Sequence, residues 1–86
     1  MGIVMHLFRK NNIVTISEED ICLSEDMELL KSLIGNKLTV VDVKHIDNDL
    51  THYTCKDENN SIIMYDKEIP FAFIDADLKY YKEGKL

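Results

Sequence analysis

The spacing of hydrophobic positions changes character at Gly35. Ahead of it, Ile3 to Phe8 is apolar and β-branched, Asn11-Asn12 is a turn signal, and Ile13 to Ile16 is β-prone again. Asparagine tolerates the positive φ of a tight turn, so these two segments predict an N-terminal hairpin. Ser17 followed by Glu18, Glu19 and Asp20 resembles a capping box with Asp in the place of Glu or Gln, which predicts a helical turn there. Next, Leu23, Met27, Leu30 and Ile34 recur at spacings of four, three and four. Ser24 stands where a cap is needed, and Glu25 and Asp26 place negative charge on the first-turn amides. The spacing predicts one amphipathic helix over Ser24–Ile34, stopped by Gly35-Asn36.

Beyond Gly35 the period is two. Leu38 to Ile46, Leu50 to Lys56 and Ser61 to Asp66 read as strands, joined at Asp47-Asn48-Asp49 and Asp57 to Asn60, where Asx-turns form readily. The adjacent pair Val40-Val41 breaks the alternation and predicts a bulge or a strand covered on both faces. Pro70 marks an edge or turn, Phe71 to Ile74 is a last apolar segment, Asp75 to Leu78 reads as a short helical turn, and Lys79-Tyr80-Tyr81 as a closing strand. The expected class is α+β: an N-terminal hairpin, one helix, then an antiparallel meander forming a small curved sheet or an SH3-like, partly open barrel. Its expected core holds Val4 or Met5, Ile13 or Val14, Met27, Leu30, Ile34, Val41, Val43, Ile63 and Phe73.

With 86 residues, 45% of them hydrophobic and 30% charged, the chain suits one globular domain spanning residues 1–86, with no repeat or linker to divide it. No run approaches the eighteen apolar residues of a membrane span, and the N-terminal apolar run lacks a preceding basic region, so a cytoplasmic protein without a membrane partner is expected. Cys22 and Cys55 lack metal-site spacing and are expected as free thiols.

Charge sharpens this picture. The formal net charge is −6, and residues 18–28 hold six acids (Glu18, Glu19, Asp20, Glu25, Asp26 and Glu28) with no base. From Lys37 onward, ten acids are interspersed with seven lysines. Such a surface repels phosphate backbones, so direct nucleic-acid binding is disfavoured unless the few bases cluster in the fold. Tyr80 and Tyr81, beside Lys79 and Lys82, form the one aromatic and basic cluster, and one exposed ring of the pair is a candidate contact residue.

Reactive constellations are incomplete. Asp47, Asp49, Thr51, Tyr53 and Glu58 match ligand positions of a calcium loop, but His52 stands where its sharp turn needs glycine. A two-residue turn at Asn48-Asp49 would set His45 opposite His52, two imidazoles short of the three or four ligands zinc requires. Neither cysteine has an evident histidine partner, no glycine-rich phosphate loop exists, and Asp75-x-Asp77 reads as a capped turn. No catalytic residue, metal or cofactor is therefore expected.

The functional expectation is a non-enzymatic protein-binding module, an inhibitor or adaptor that docks on a larger protein with a basic surface. Glu18, Glu19, Asp20, Glu25, Asp26, Glu28, Tyr80 and Tyr81 are the expected partner-binding residues, and mimicry of a nucleic acid is a specific form of this reading. The alternatives are a small-barrel nucleic-acid-binding protein and, further off, a metal- or thiol-dependent enzyme.

Overall fold

The computed structural model describes residues 8–19, 21 and 26–82. In chain order these form β1 (Ile13–Ile16), α1 (Met27–Ser32), β2 (Leu38–Asp47), β3 (Leu50–Lys56), β4 (Met64–Asp66), β5 (Ile69–Pro70), a 3-10 turn (Asp75–Asp77) and β6 (Leu78–Tyr80). The class is α+β, with one short helix and an antiparallel meander in a small open sheet of order β3-β2-β1-β6. Of the expected hairpin's first arm, Ile3 to Phe8, only Phe8 is among the described residues. The described partners of β1 are β2, through Ile13–Thr39 and Val14–Leu38, and β6, through Val14–Tyr80, Thr15–Lys79 and Ile16–Leu78. The expected turn before β1 is present: Asn11 has φ of 76°, and the Asn12 amide donates to the Arg9 carbonyl at 3.0 Å.

Helix α1 is shorter than the expected Ser24–Ile34. Residues 22–25, with the expected Ser24 cap, lie outside the described residues. At the other end the chain leaves the α-helix at Leu33, because the Leu33, Ile34 and Asn36 amides donate to carbonyls three residues back. Such bonds tighten a last turn, and Ser32 Oγ donates to the Leu29 carbonyl at 2.6 Å alongside them. Gly35 then reverses the chain at φ of 86°. Tightening rotates the apolar stripe: Leu30 and Leu33 are buried, Met27 and Leu29 are half-buried, and Ile34, expected in the core, is 38% exposed.

Two bulges govern β2. Val40 is opposite Cys55 and Asp42 is opposite Thr54, so Val41 is an extra residue, as the broken alternation suggested. Leu38 and Val40 are buried before the bulge; after it the phase flips, Asp42 faces solvent and Val43 packs against the core. A one-residue slip exchanges the two faces of a strand, so without the bulge Asp42 would follow Leu38 and Val40 inward. Opposite, Thr51, Tyr53 and Cys55 are buried in regular alternation.

The outer edge of β3 is lined by two separate stretches. Tyr53 exchanges both backbone hydrogen bonds with Phe73, and the Ile63 amide donates to the Cys55 carbonyl at 2.9 Å. Between them the chain departs as the β4–β5 hairpin, whose base is closed by the Phe71 amide on the Ile63 carbonyl at 2.9 Å. The segment expected as a third sheet strand, Ser61 to Asp66, is thus divided between this edge and the hairpin. Four residues, Ile74 to Asp77, then carry the chain to β6 at the opposite edge of the sheet.

The core joins these parts. Val14 and Ile16 of β1, Leu38 and Val40, Tyr53 and Cys55, Phe73 and Leu78 are all buried, with Phe8 and Leu30 closing over them. Each fully buried large apolar side chain contributes roughly 1.5–3 kcal/mol from transfer out of water. Phe8 bridges the sheet: its ring meets Tyr53 at 5.4 Å and Tyr80 at 4.9 Å, both edge to face.

Candidate functional site

A groove of about 590 Å³ lies along β1 and β6, lined by Thr15, Ile16, Glu18, Gly35, Lys79, Tyr80, Tyr81 and Lys82. Its wall follows from the ladder. Leu78 is buried and anchors β6, Lys79 is opposite Thr15, and the Tyr81 amide donates to the Ile13 carbonyl at 3.1 Å. At the other end the Ser17 amide donates to the Asp77 carbonyl at 2.8 Å, so the chain departs the ladder just where Glu18 joins the lining. Thr15 Oγ1 donates to the Asn36 carbonyl at 2.7 Å, holding the turn after α1 against β1 and placing Gly35 on the rim.

The rings have distinct settings. Tyr80 is 51% exposed and its ring meets Phe8, whereas Tyr81 is half-buried with the Lys37 ammonium 5.6 Å from its ring centroid. That distance is within cation–π range. Among the described residues the charged groups of the lining are Glu18, Lys79 and Lys82, with Lys37 over the Tyr81 ring.

Of the expected partner-binding residues, Glu18, Tyr80 and Tyr81 come together in this groove. Glu19 and Glu28 are exposed elsewhere, and Asp20 and Glu25 lie outside the described residues. Asp26 is half-buried and acts on a different neighbour, the 3-10 turn. There, burial holds the Asp77 carboxyl above the ordinary carboxylate range; a hydrogen bond from the Ile74 amide at 3.0 Å opposes this, and the charge of Asp26 adds to it.

The histidine register expected from the β2–β3 turn is corrected. Asp47 is opposite Leu50 as anticipated, but Ile46 bulges, so His45 is opposite Thr51 and Lys44 is opposite His52. The two imidazoles fall on opposite faces of the ladder. Likewise Asp42 is opposite Thr54, where the unbulged register put Cys55. The calcium template dissolves similarly, since Asp47 accepts the Asp49 amide at 2.9 Å as an Asx-turn and Thr51 to Lys56 belongs to β3. Among the described residues no three His, Cys, Asp or Glu side chains are gathered to hold a metal ion. Cys55 is buried and desolvation pushes its thiol up to about 12, which suits a packing role and opposes thiolate chemistry; Cys22 lies outside the described residues.

Sequence reasoning missed one surface. Residues 64–70 are all exposed, Tyr65 by 63% and Ile69 by 53%, with Ile62 and Ile74 exposed beside them. Period-two alternation does not distinguish a strand of the main sheet from an arm of an excursion, and Ile69-Pro70 just past the polar pair Lys67-Glu68 was the available signal.

Among the described residues no helix is long and apolar enough to cross a membrane. Compared with protein-family models, curated proteins and solved structures, the chain matches none of them.

Proposed function

We propose that the chain is a non-enzymatic protein-binding module, an inhibitor or adaptor, that docks on a larger protein with a basic surface through the face carrying Glu18, Tyr80 and Tyr81. The observation that carries this reading is the open groove in which Glu18 and the tyrosine pair share one lining. Tyrosine is enriched in interface cores, and an exposed ring held by a rigid strand loses little freedom on binding. Glu19 and Glu28 extend the negative field beyond the groove, and mimicry of a phosphate backbone is the specific form in which they would occupy a nucleic-acid-binding partner. The proposed scaffold is an SH3-like, partly open barrel. A flat path from the outer edge of β3 to β6 would cross four strand spacings of about 4.8 Å. The connection Ile74 to Asp77 contains a 3-10 turn rising only about 2 Å per residue, and this short reach supports a curled sheet.

Capture of the partner from lysate, followed by titration with charge variants, tests the reading. Glu18→Gln, Glu19→Gln and Glu28→Gln together should leave stability within about 1 kcal/mol, slow association and flatten the salt dependence of binding. Glu58→Gln, Glu68→Gln and Asp75→Asn form the control. Asp57 and Asp66 are unsuitable there, because their carboxylates accept backbone amides at Asn59, Ser61 and Lys67 and hold turns. Equal binding and equal salt dependence in both triple variants would reduce the acids to solvated surface.

A further inference from the structure

We infer that the edge of β2 at Val43 takes up a short extended segment of a partner protein as an added strand, antiparallel to β2 and in line with β1. This rests on residues other than Glu18, Tyr80 and Tyr81 and can stand or fall separately. The backbone pattern carries it. Tyr53 spends its amide and its carbonyl on Phe73, at 2.8 and 2.9 Å, so its pair with Val43 across the ladder is one that exchanges no bonds. In such a pair the Val43 amide and carbonyl are aimed at the other edge of β2. That edge is covered as far as Val40, whose amide donates to Asn12 and whose carbonyl accepts from Asn11. There the chain turns away through Arg9, and among the described residues nothing pairs with β2 beyond this point on that side. Val43 thus presents a donor and an acceptor to the lane that a longer β1 would fill. A cavity of about 410 Å³ opens at the same place, with Phe8, Arg9, Lys10, Asp42 and Val43 in its lining.

Three features fix the chemistry of the occupant. First, an extended main chain supplies an acceptor and a donor at the spacing that exchange with one residue requires. Second, directly opposite residues share a face. The residue paired with Val43 therefore points with it towards the core side and is apolar, while its neighbours fall opposite Lys44 and Asp42 on the exposed face. In antiparallel order the preceding residue faces Lys44 and the following one Asp42, so an acid is favoured just before the apolar residue. Third, a second copy is the poorer occupant. Centred on Val43, its own β2 would bring Ile46 opposite Val40, into the place held by Asn11 and Asn12. The bulges at Val41 and Ile46 end the regular edge on either side, and with Lys44 they are devices that keep whole sheets from pairing. A few residues of extended chain fit between them.

Amide hydrogen exchange and chemical-shift titration of the full chain test this. In the free protein the Val43 amide should exchange about tenfold faster than those of Asp42 and Lys44, whose pairs with Thr54 and His52 are the bonded ones. The probe is acetyl-Thr-Glu-Val-Thr-Thr-amide, and its control is the same peptide N-methylated at valine, which cannot donate to the Val43 carbonyl. The probe should slow exchange at Val43 and shift amides at residues 9–10 and 42–45, and the N-methylated peptide should do neither. Lys44→Gln should weaken the probe about threefold. Lys44 is exposed, so this variant should keep the wild-type melting profile. Slow exchange of Val43 in the free protein, equal binding of the N-methylated peptide, or unchanged affinity in Lys44→Gln would each overturn the assignment. Slowing of Val43 exchange by protein concentration alone would overturn it in favour of a second copy. The variant neutralised at Glu18, Glu19 and Glu28 should bind the probe as the wild type does, whatever becomes of the captured partner, so the two proposals fail independently.

Discussion

Single side chains separate burial from sequence pattern most clearly in α1. Leu30 and Ile34 share one stripe in the sequence, yet Leu30 is buried and Ile34 faces solvent because the chain has left the helix between them. Leu30→Ala should therefore cost about 2–5 kcal/mol in urea unfolding, and Ile34→Ala well under half of that. Cys55 makes a prediction of a different kind. Its thiol is raised by burial from an ordinary 9.0 to about 12, so the folded state holds the proton more tightly than the unfolded chain. The resulting stability is complete below about pH 9 and is lost as pH rises from there towards 12, by roughly 4 kcal/mol at the limit. Urea midpoints between pH 8 and 10 should fall more steeply for the wild type than for Cys55→Ala. Cys55 was expected as a free thiol but not among the core residues, although it is fully buried. Nor was the burial of Phe8 legible, because its contacts with Tyr53 and Tyr80 join residues that only the folded chain brings together.

Among the elements, the turns were the most legible and the registers the least. Asn11, Gly35 and the Asp47–Asp49 turn act as their local chemistry requires. Bulges are another matter: Val40-Val41 announced one by breaking alternation, whereas the second phase break, Ile46 three residues after Val43, lies at the exposed strand end and was read as regular strand. That single extra residue separates His45 from His52. Gly35 isolates a backbone effect, since a Cβ there would meet nothing within 4 Å and only the φ of 86° opposes it. Gly35→Ala should cost about 1 kcal/mol, and Gly35→Asn less, because asparagine tolerates the left-handed region. Equal losses for the two variants would point to side-chain crowding instead of backbone strain.

For the whole molecule, the decisive contact is the longest in sequence. β1 has two paired residues on β2 but three on β6, so the strand at the centre of the sheet is completed from the far end of the chain. A chain ending at Asp77 lacks Leu78 in the core and the wall of the groove, and its thermal unfolding followed by circular dichroism should lose the cooperative transition. The sequence marked Lys79 to Tyr81 as a strand and named both tyrosines, but nothing local connects them to Glu18, which joins them only because β6 lies beside β1. Pairings of this range carry the largest loop-closure cost, which makes this strand a late step in assembly.

The β4–β5 hairpin gives the chain a detachable part. Its two ends meet at the bond from the Phe71 amide to the Ile63 carbonyl, and the core residues on either side, Ile63 and Phe71, belong to the body of the protein. A carbonyl bonded to the amide three positions on is also how an ordinary four-residue turn closes. The seven residues from Met64 to Pro70 can thus be exchanged for two, or for a longer insert, with the entry and exit points unchanged. Mutational drift in this arm is uncoupled from the packing beneath it, and the chain can acquire or discard a surface here without renegotiating its interior.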